Sequence, residues 1–422
     1  MSEGKRLAPK LRFPAFRKEA AWQQYAGGDL FDQVNERSAQ ADLPVLAITQ
    51  EHGAIPRDLI DYHVSVTDKS LESYKVVQPG DFIISLRSFQ GGIEHSQYRG
   101  VCSPAYVILR RRGEGSDAYF KHYLKTDGFI QVLTKNLEGL RDGKMVSYKQ
   151  FSALRLPVPA EPEQQKIANC LSSLDELIAA QARKVDALKT HKKGLMQQIF
   201  PREGETQPRL RFPEFQDTGD WVKKPFSELC DIKHGYAFEG EFYSSEGEYV
   251  LLTPGNFYEQ GGYRDRGENQ KYYIGEIPID YVLNCGDLLV AMTEQAAGLL
   301  GSPILVPEAD KFLHNQRLGL LTKRPGVAWT NKFFFHVFNT EPVRKAIHAS
   351  ASGAKVRHTS PRKIGEIVFS FPSSALEPKR IADCITSIDD IITAAARELD
   401  TLKAHKKGLM QRLFPSAAAL EE

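Results

Sequence analysis

The chain has 422 residues, 41% of them hydrophobic and 26% charged, with a mean hydropathy of -0.38. That is more than one domain's worth of residues and enough apolar material for real cores, which excludes a disordered or fibrous protein. Fifty-five Lys and Arg against 53 Asp and Glu leave a net charge of +2, so any face for a polyanion has to be local. No stretch approaches the roughly 18 apolar residues of a membrane span. The opening Met-Ser-Glu-Gly-Lys-Arg lacks a secretory apolar run, so a soluble, cytoplasmic protein is expected. Five scattered cysteines without a C-x-x-C pair argue against a disulfide framework or a cysteine zinc site and predict reduced, buried thiols.

In chain order the elements occur twice. Residues 10–22, KLRFPAFRKEAAW, return at 209–221 as RLRFPEFQDTGDW. Short apolar strands are predicted over 45–49, 81–86 and 105–109 in the first copy, and over 249–253, 288–292, 303–306 and 318–322 in the second. Gly80-Asp81 and Gly286-Asp287 lead into the equivalent strands, which explains both aspartates as turn residues. One helical stretch follows each set, over 117–137 and 330–349, with aromatics such as Tyr119, Tyr123, Phe333 and Phe338 at helical spacing, as a core requires.

A basic, glycine-marked loop comes next. Residues 342–365 carry Arg344, Lys345, Lys355, Arg357, Arg362 and Lys363 with no acidic residue, a composition suited to phosphate contact. The first copy has Arg141, Lys144, Lys149 and Arg155 against Asp142.

Two long helices close the copies. Residues 167–201 and 381–415 align without gaps and agree at 21 of 35 positions, both ending H-K-K-G-L-M-Q-x-[IL]-F-P. Ile167, Leu171, Leu174, Ile178, Gln181, Val185, Leu188, Lys192, Leu195 and Ile199 advance by alternating fours and threes, as do their counterparts from Ile381 to Leu413. This is a coiled-coil seam, in which each helix, roughly 55 Å long, needs a partner and the other copy can supply it. Gly194 and Gly408 inside the seam predict close helix approach or a local break, and the lysines beside them read as a solvated cationic helix end.

Signatures of catalysis do not occur. Gly139 to Lys144 is one residue short of a phosphate-binding loop and no Ser or Thr follows the lysine. H-E-x-x-H, G-x-S-x-G and G-x-G-x-x-G are missing, and His95 and His314 stand without ligand-like neighbours.

This pattern resembles the specificity subunit of type I restriction-modification systems. The resemblance rests on E-P-E-Q-Q-K-I at 161–167, on the K-K-G-L-M-Q-x-[IL]-F-P endings, and on Gly286-Asp287, Asn315-Gln316-Arg317 and Ser352-Gly353-Ala354-Lys355. It implies an α+β chain of two β-rich target recognition domains alternating with two long helices, which pair as an antiparallel coiled coil around an internal pseudo-twofold. The corresponding boundaries are a first recognition domain at 1–160, a first spacer helix at 161–201, a second recognition domain at 202–376, a second helix at 377–415 and a flexible tail at 416–422.

The implied role is a non-catalytic reader of double-stranded DNA that serves phage defence. It would assemble with two modification (methyltransferase) subunits and with ATP-dependent restriction subunits. The S-adenosylmethionine, ATP and magnesium would belong to those partners. Two domains on one face of a duplex, whose turns recur every ~34 Å, imply a bipartite and asymmetric target.

Base reading is expected from Arg87, Ser88, Gln90, Thr293, Glu294 and Gln295, whose side chains can discriminate base edges, and Arg317 is expected to bind DNA as well. Phosphate contact is expected from Lys144, Lys149, Lys355, Arg357 and Lys363. The rival reading, a coiled-coil adaptor whose β-rich domains bind proteins, predicts exposed apolar surface without a basic loop.

Overall fold

The computed structural model describes residues 7–37, 43–60, 71, 73–135, 146–294 and 298–416. The chain divides into two compact units, Met1–Arg183 with Arg397–Glu422, and Lys184–Ala396. Both divisions fall inside long continuous helices, Glu161–Ile199 and Glu377–Leu413, so each unit contains part of each helix.

Each unit is built on a four-stranded antiparallel sheet of the same order. In the first, Phe31–Val34, Val107–Arg111, Phe82–Ile84 and Glu94–His95 lie side by side. In the second, the order is Cys230–His234, Leu318–Lys323, Leu288–Ala291 and Pro303–Leu305. Successive strand residues point to opposite faces, and both faces of these sheets are covered. Phe82 and Ile84 join a core with Tyr119, Phe120 and Tyr123, whereas Ile83 joins Leu46, Val77 and Ile108. Leu288 and Val290 pack with Phe333 and Phe338, and Leu289 and Ala291 with Val250 and Phe312. Burial on both faces is why the central strands read as unbroken apolar runs. The turns before them behave as the glycine-aspartate pairs require: Gly80 and Gly286 take φ of +94° and +83°, and Asp81 and Asp287 each accept a backbone N–H at 2.8 Å.

Each helical stretch is two helices rather than one: Asp117–Tyr123 and Asp127–Lys135, then Asn331–Phe338 and Glu341–Ser350. Local capping breaks the first pair, because the Thr126 hydroxyl accepts from Phe129 N at 3.2 Å. In the second, Pro342 sits at the start of a new helix, where its missing N–H costs nothing. The aromatics on these helices are core, with Tyr119, Tyr123, Phe333 and Phe338 all buried.

The L-R-F-P segment acts as a latch in both units. Leu11 N donates to Arg412 O at 2.8 Å, and Leu210 N to Gln198 O at 2.9 Å, so each copy docks on the last turn of a long helix. Arg12 then forks onto Glu163 at 2.7 and 2.6 Å, and Arg211 onto Glu377 at 2.8 and 2.8 Å. Glu377 is therefore the counterpart of Glu163, which places the shorter second helix start in register with the first. A strand pair closes each unit, Gln23–Ala26 with Arg155–Val158 and Val222–Pro225 with Val368–Phe371.

Within each unit the parts of the two long helices run antiparallel. Lys406 pairs with Asp175, and Gln181 Nε2 donates to Glu398 at 2.8 Å, in the first unit; Lys192 pairs with Asp389 at 2.6 Å in the second. The first lysine of each H-K-K is thus an interhelical ion-pair partner, which corrects the solvated-end reading. Gly194 and Gly408 correct another expectation: both helices run through them unbroken, and a Cβ at either would meet nothing within 4 Å.

Candidate nucleic-acid interface

In the second unit the side chains singled out by sequence gather where the central strand leaves the sheet. Met292 N donates to Arg317 O at 2.9 Å, and Thr359 N to Met292 O at 2.9 Å. Beyond Met292, Thr293–Glu294 pairs antiparallel with Arg357–His358, forming a two-stranded ribbon. Ser352 and His358 then exchange backbone hydrogen bonds at 3.0 and 2.9 Å, closing a hairpin whose loop exposes Lys355. Gly353 makes that hairpin possible: its φ is +104°, and a Cβ there would lie 2.1 Å from Val356 O.

Arg317 and Lys355 are exposed, Thr293 half-buried. Glu294 is 4% exposed and does not face outward, because its Oε2 accepts from Gly298 N at 3.1 Å and Leu300 N at 2.9 Å. Its Oε1 faces His348 Nδ1 at 3.7 Å and Arg357 Nη1 at 3.9 Å. This corrects the expectation that Glu294 is free to meet a base, since its carboxylate organises the loop instead. Gln295 lies outside the described residues.

The basic stretch divides in space. Arg344 and Lys345 are on a helix, and Arg344 is committed inward, donating to Leu300 O at 2.9 Å, Gly298 O at 3.2 Å and Glu259 O. Burial draws its pKa down to about 10, which leaves it charged at neutral pH. Lys345 pairs with Glu341, Arg362 with Glu366, and Lys363 donates to Ser350 O at 2.9 Å. Counter-charges that the stretch itself lacks are supplied by Glu294, Glu341 and Glu366.

Beside Arg317, Gln316 and Tyr236 are also exposed. Tyr236 N donates to His314 O and Gln316 N to Tyr236 O, both at 2.9 Å. Gly235 permits this crossing, since a Cβ on it would lie 2.2 Å from Asn315 O. That glycine is the only sequence signal for the crossing, and it does not by itself mark Tyr236.

In the first unit the same end of the sheet carries Ser85 to Gly92. Arg87 and Gln90 are exposed, but Ser88 is 1% exposed and its Oγ accepts from Ser85 N at 2.9 Å. Ser88 thus shapes the turn from within, a correction to its expected place on the surface. Gly92, at φ +79°, is pressed against Leu124 O, 2.2 Å from where a Cβ would be. Lys149 is exposed on the short helix Tyr148–Ala153. Lys144 lies outside the described residues.

Three histidines, His122, His314 and His336, are buried, and His95 is half-buried. Burial pulls His95, His122 and His314 down to about 4 and His336 to about 3. His122 and His336 sit equivalently, with Nε2 at 3.2 Å from Ser172 Oγ and 3.3 Å from Thr386 Oγ1. Among the described residues, no group of three or more His, Cys, Asp or Glu side chains could hold a metal ion, and no helix is long and apolar enough to cross a membrane. The cysteines are unpaired, and Cys285 is exposed rather than buried.

No sequence-family profile matches the chain. It is 23% identical over 358 residues to the type I restriction enzyme MjaVIII specificity subunit of Methanocaldococcus jannaschii, a span of 83% of this chain and 81% of that one. Its fold is similar to that of the type I restriction-modification S subunit from M. genitalium, with a TM-score of 0.56 at 15% identity, covering 97% of this chain and all of that one. A chain solved in a study of complex assembly and conformational transition of the type I restriction-modification system gives a TM-score of 0.55 at 16% identity, covering 93% of this chain and 97% of that one.

Proposed function

We propose, from the premise that the chain resembles type I specificity subunits in sequence and in fold, that it is the DNA-reading subunit of such a complex. It recognises a bipartite, asymmetric target and directs adenine methylation and restriction by partner subunits. The observation that carries this reading is the placement of different polar side chains at the same end of the same sheet in two copies of one framework. Arg87 and Gln90 are available in one unit, and Thr293 and Arg317 in the other. Two equivalent frames with unlike reading faces call for a target of two unlike blocks.

The interhelical pairs Asp175–Lys406 and Lys192–Asp389 support an antiparallel coiled coil with an internal pseudo-twofold. Lys149, Lys355 and Lys363 are proposed as phosphate contacts, which position the protein and carry no sequence information. S-adenosylmethionine, ATP and magnesium are assigned to the modification and restriction subunits, because no catalytic constellation is evident in the sequence.

The test is co-expression with a type I methyltransferase subunit that forms a complex with the chain, followed by sequencing of methylated adenines. A bipartite, asymmetric motif that requires this chain is expected. A complex that forms yet yields no such motif would return the adaptor reading.

A further inference from the structure

We infer that Arg357 reads a base edge in the second block of the target, and that Glu294 is its positioning residue. The inference rests on the DNA-recognition reading above. A phosphate contact needs charge and tolerates a mobile side chain, whereas base readout needs a guanidinium fork held in one orientation.

Arg357 is held. Its Nη2 donates to His348 O at 2.5 Å, and its Nη1 lies 3.3 Å from His348 Nδ1 and 3.9 Å from Glu294 Oε1. Glu294 is itself immobile, being buried and bonded to Gly298 N and Leu300 N, and it faces Arg357 across the ribbon. The rest of the fork is open: the Arg357 side chain is 41% exposed, and a guanidinium has five donors of which these contacts engage two. Lys355, at the hairpin loop, shows the opposite character, exposed and, among the described residues, without a side-chain hydrogen bond or ion pair.

A two-stranded ribbon is one of the elements a major groove admits, and an arginine fork on guanine O6 and N7 is the commonest specific contact there. Arg357 is therefore assigned to a guanine of the second block.

The experiment is methylated-adenine sequencing of the full chain with its modification subunit, in wild type, R357K, R357A and E294Q. R357K keeps the charge and loses the fork. It is expected to preserve the first block and to relax one position of the second by about tenfold or more. E294Q keeps an oxygen for the two N–H groups but removes the charge facing Arg357, and it should relax that same position more weakly. A wild-type motif that R357K leaves intact, with R357A lowering methylation evenly at every site, would make Arg357 a phosphate contact and overturn the inference. A wild-type complex without any motif would instead remove the DNA-recognition reading on which the inference stands.

Discussion

Replacing Arg12 by alanine tests whether the L-R-F-P latch holds the first unit together. The guanidinium makes two bonds to Glu163, at 2.7 and 2.6 Å, and two more to the Glu19 and Ala20 carbonyls at 3.0 Å each. The Glu163 side chain is 1% exposed, so R12A leaves a carboxylate buried without its counter-ion. Breaking a buried pair from one side costs about 3–5 kcal/mol.

The loss should be local. Hydrogen exchange read peptide by peptide is expected to show lower protection through the first unit and no change through residues 184–396. A loss below about 1 kcal/mol, or one shared equally by both units, would show that the latch does not organise the fold.

Gly194→Ala and Gly408→Ala should each raise stability by up to about 1 kcal/mol in thermal unfolding, because both are interior helical positions with open space around the missing Cβ; destabilisation would show that the space is needed. His95, His314 and His336 are neutral in the folded chain well below 6.5, so between pH 7 and 5 the unfolded chain binds more protons. Stability should therefore fall by about 2 kcal/mol per histidine, and H336N should flatten the urea-midpoint profile. K355A should weaken binding to all DNA sequences alike and flatten the salt slope by about 0.9, and an unchanged slope would remove Lys355 from the interface.

Periodicity and repetition made much of this fold legible. The long helices, the central strands and their glycine-aspartate turns depend on local pattern, and they form as the pattern predicts. Interactions between distant segments were less readable. The run from Pro342 to Gly365 has no acid along the chain, yet Glu294 and the backbone at 298–300 reach Arg344 and Arg357 through space. Ser88 and Glu294 are polar residues in loops, which reads as exposure; only the fold reveals that backbone N–H groups of the same loops claim them. The two-helix breaks depend on single residues, Thr126 and Pro342, inside stretches whose apolar spacing continues across them.

The repeated contacts and the unrepeated ones divide the chain by role. Arg12–Glu163 recurs as Arg211–Glu377, His122–Ser172 as His336–Thr386, and Asp175–Lys406 as Asp389–Lys192. Among the described residues, the exposed groups at the sheet ends, such as Arg87 in one unit and Arg317 in the other, do not recur. A frame fixed by pairs at its edges lets the residues between them change, and that is what a reader of variable targets needs.

The latch also sets a condition on exchanging recognition domains. A replacement of residues 202–376 carries away Arg211 but leaves Glu377, 1% exposed, at the start of the second helix. An incoming domain with an arginine at the matching L-R-F-P position should fold and change one block of the target only. One without it should lose about 3–5 kcal/mol through the stranded carboxylate, and Glu377→Gln should recover part of that loss. If arginine-less domains exchange without penalty, the ion pair is not what couples each recognition domain to its helix.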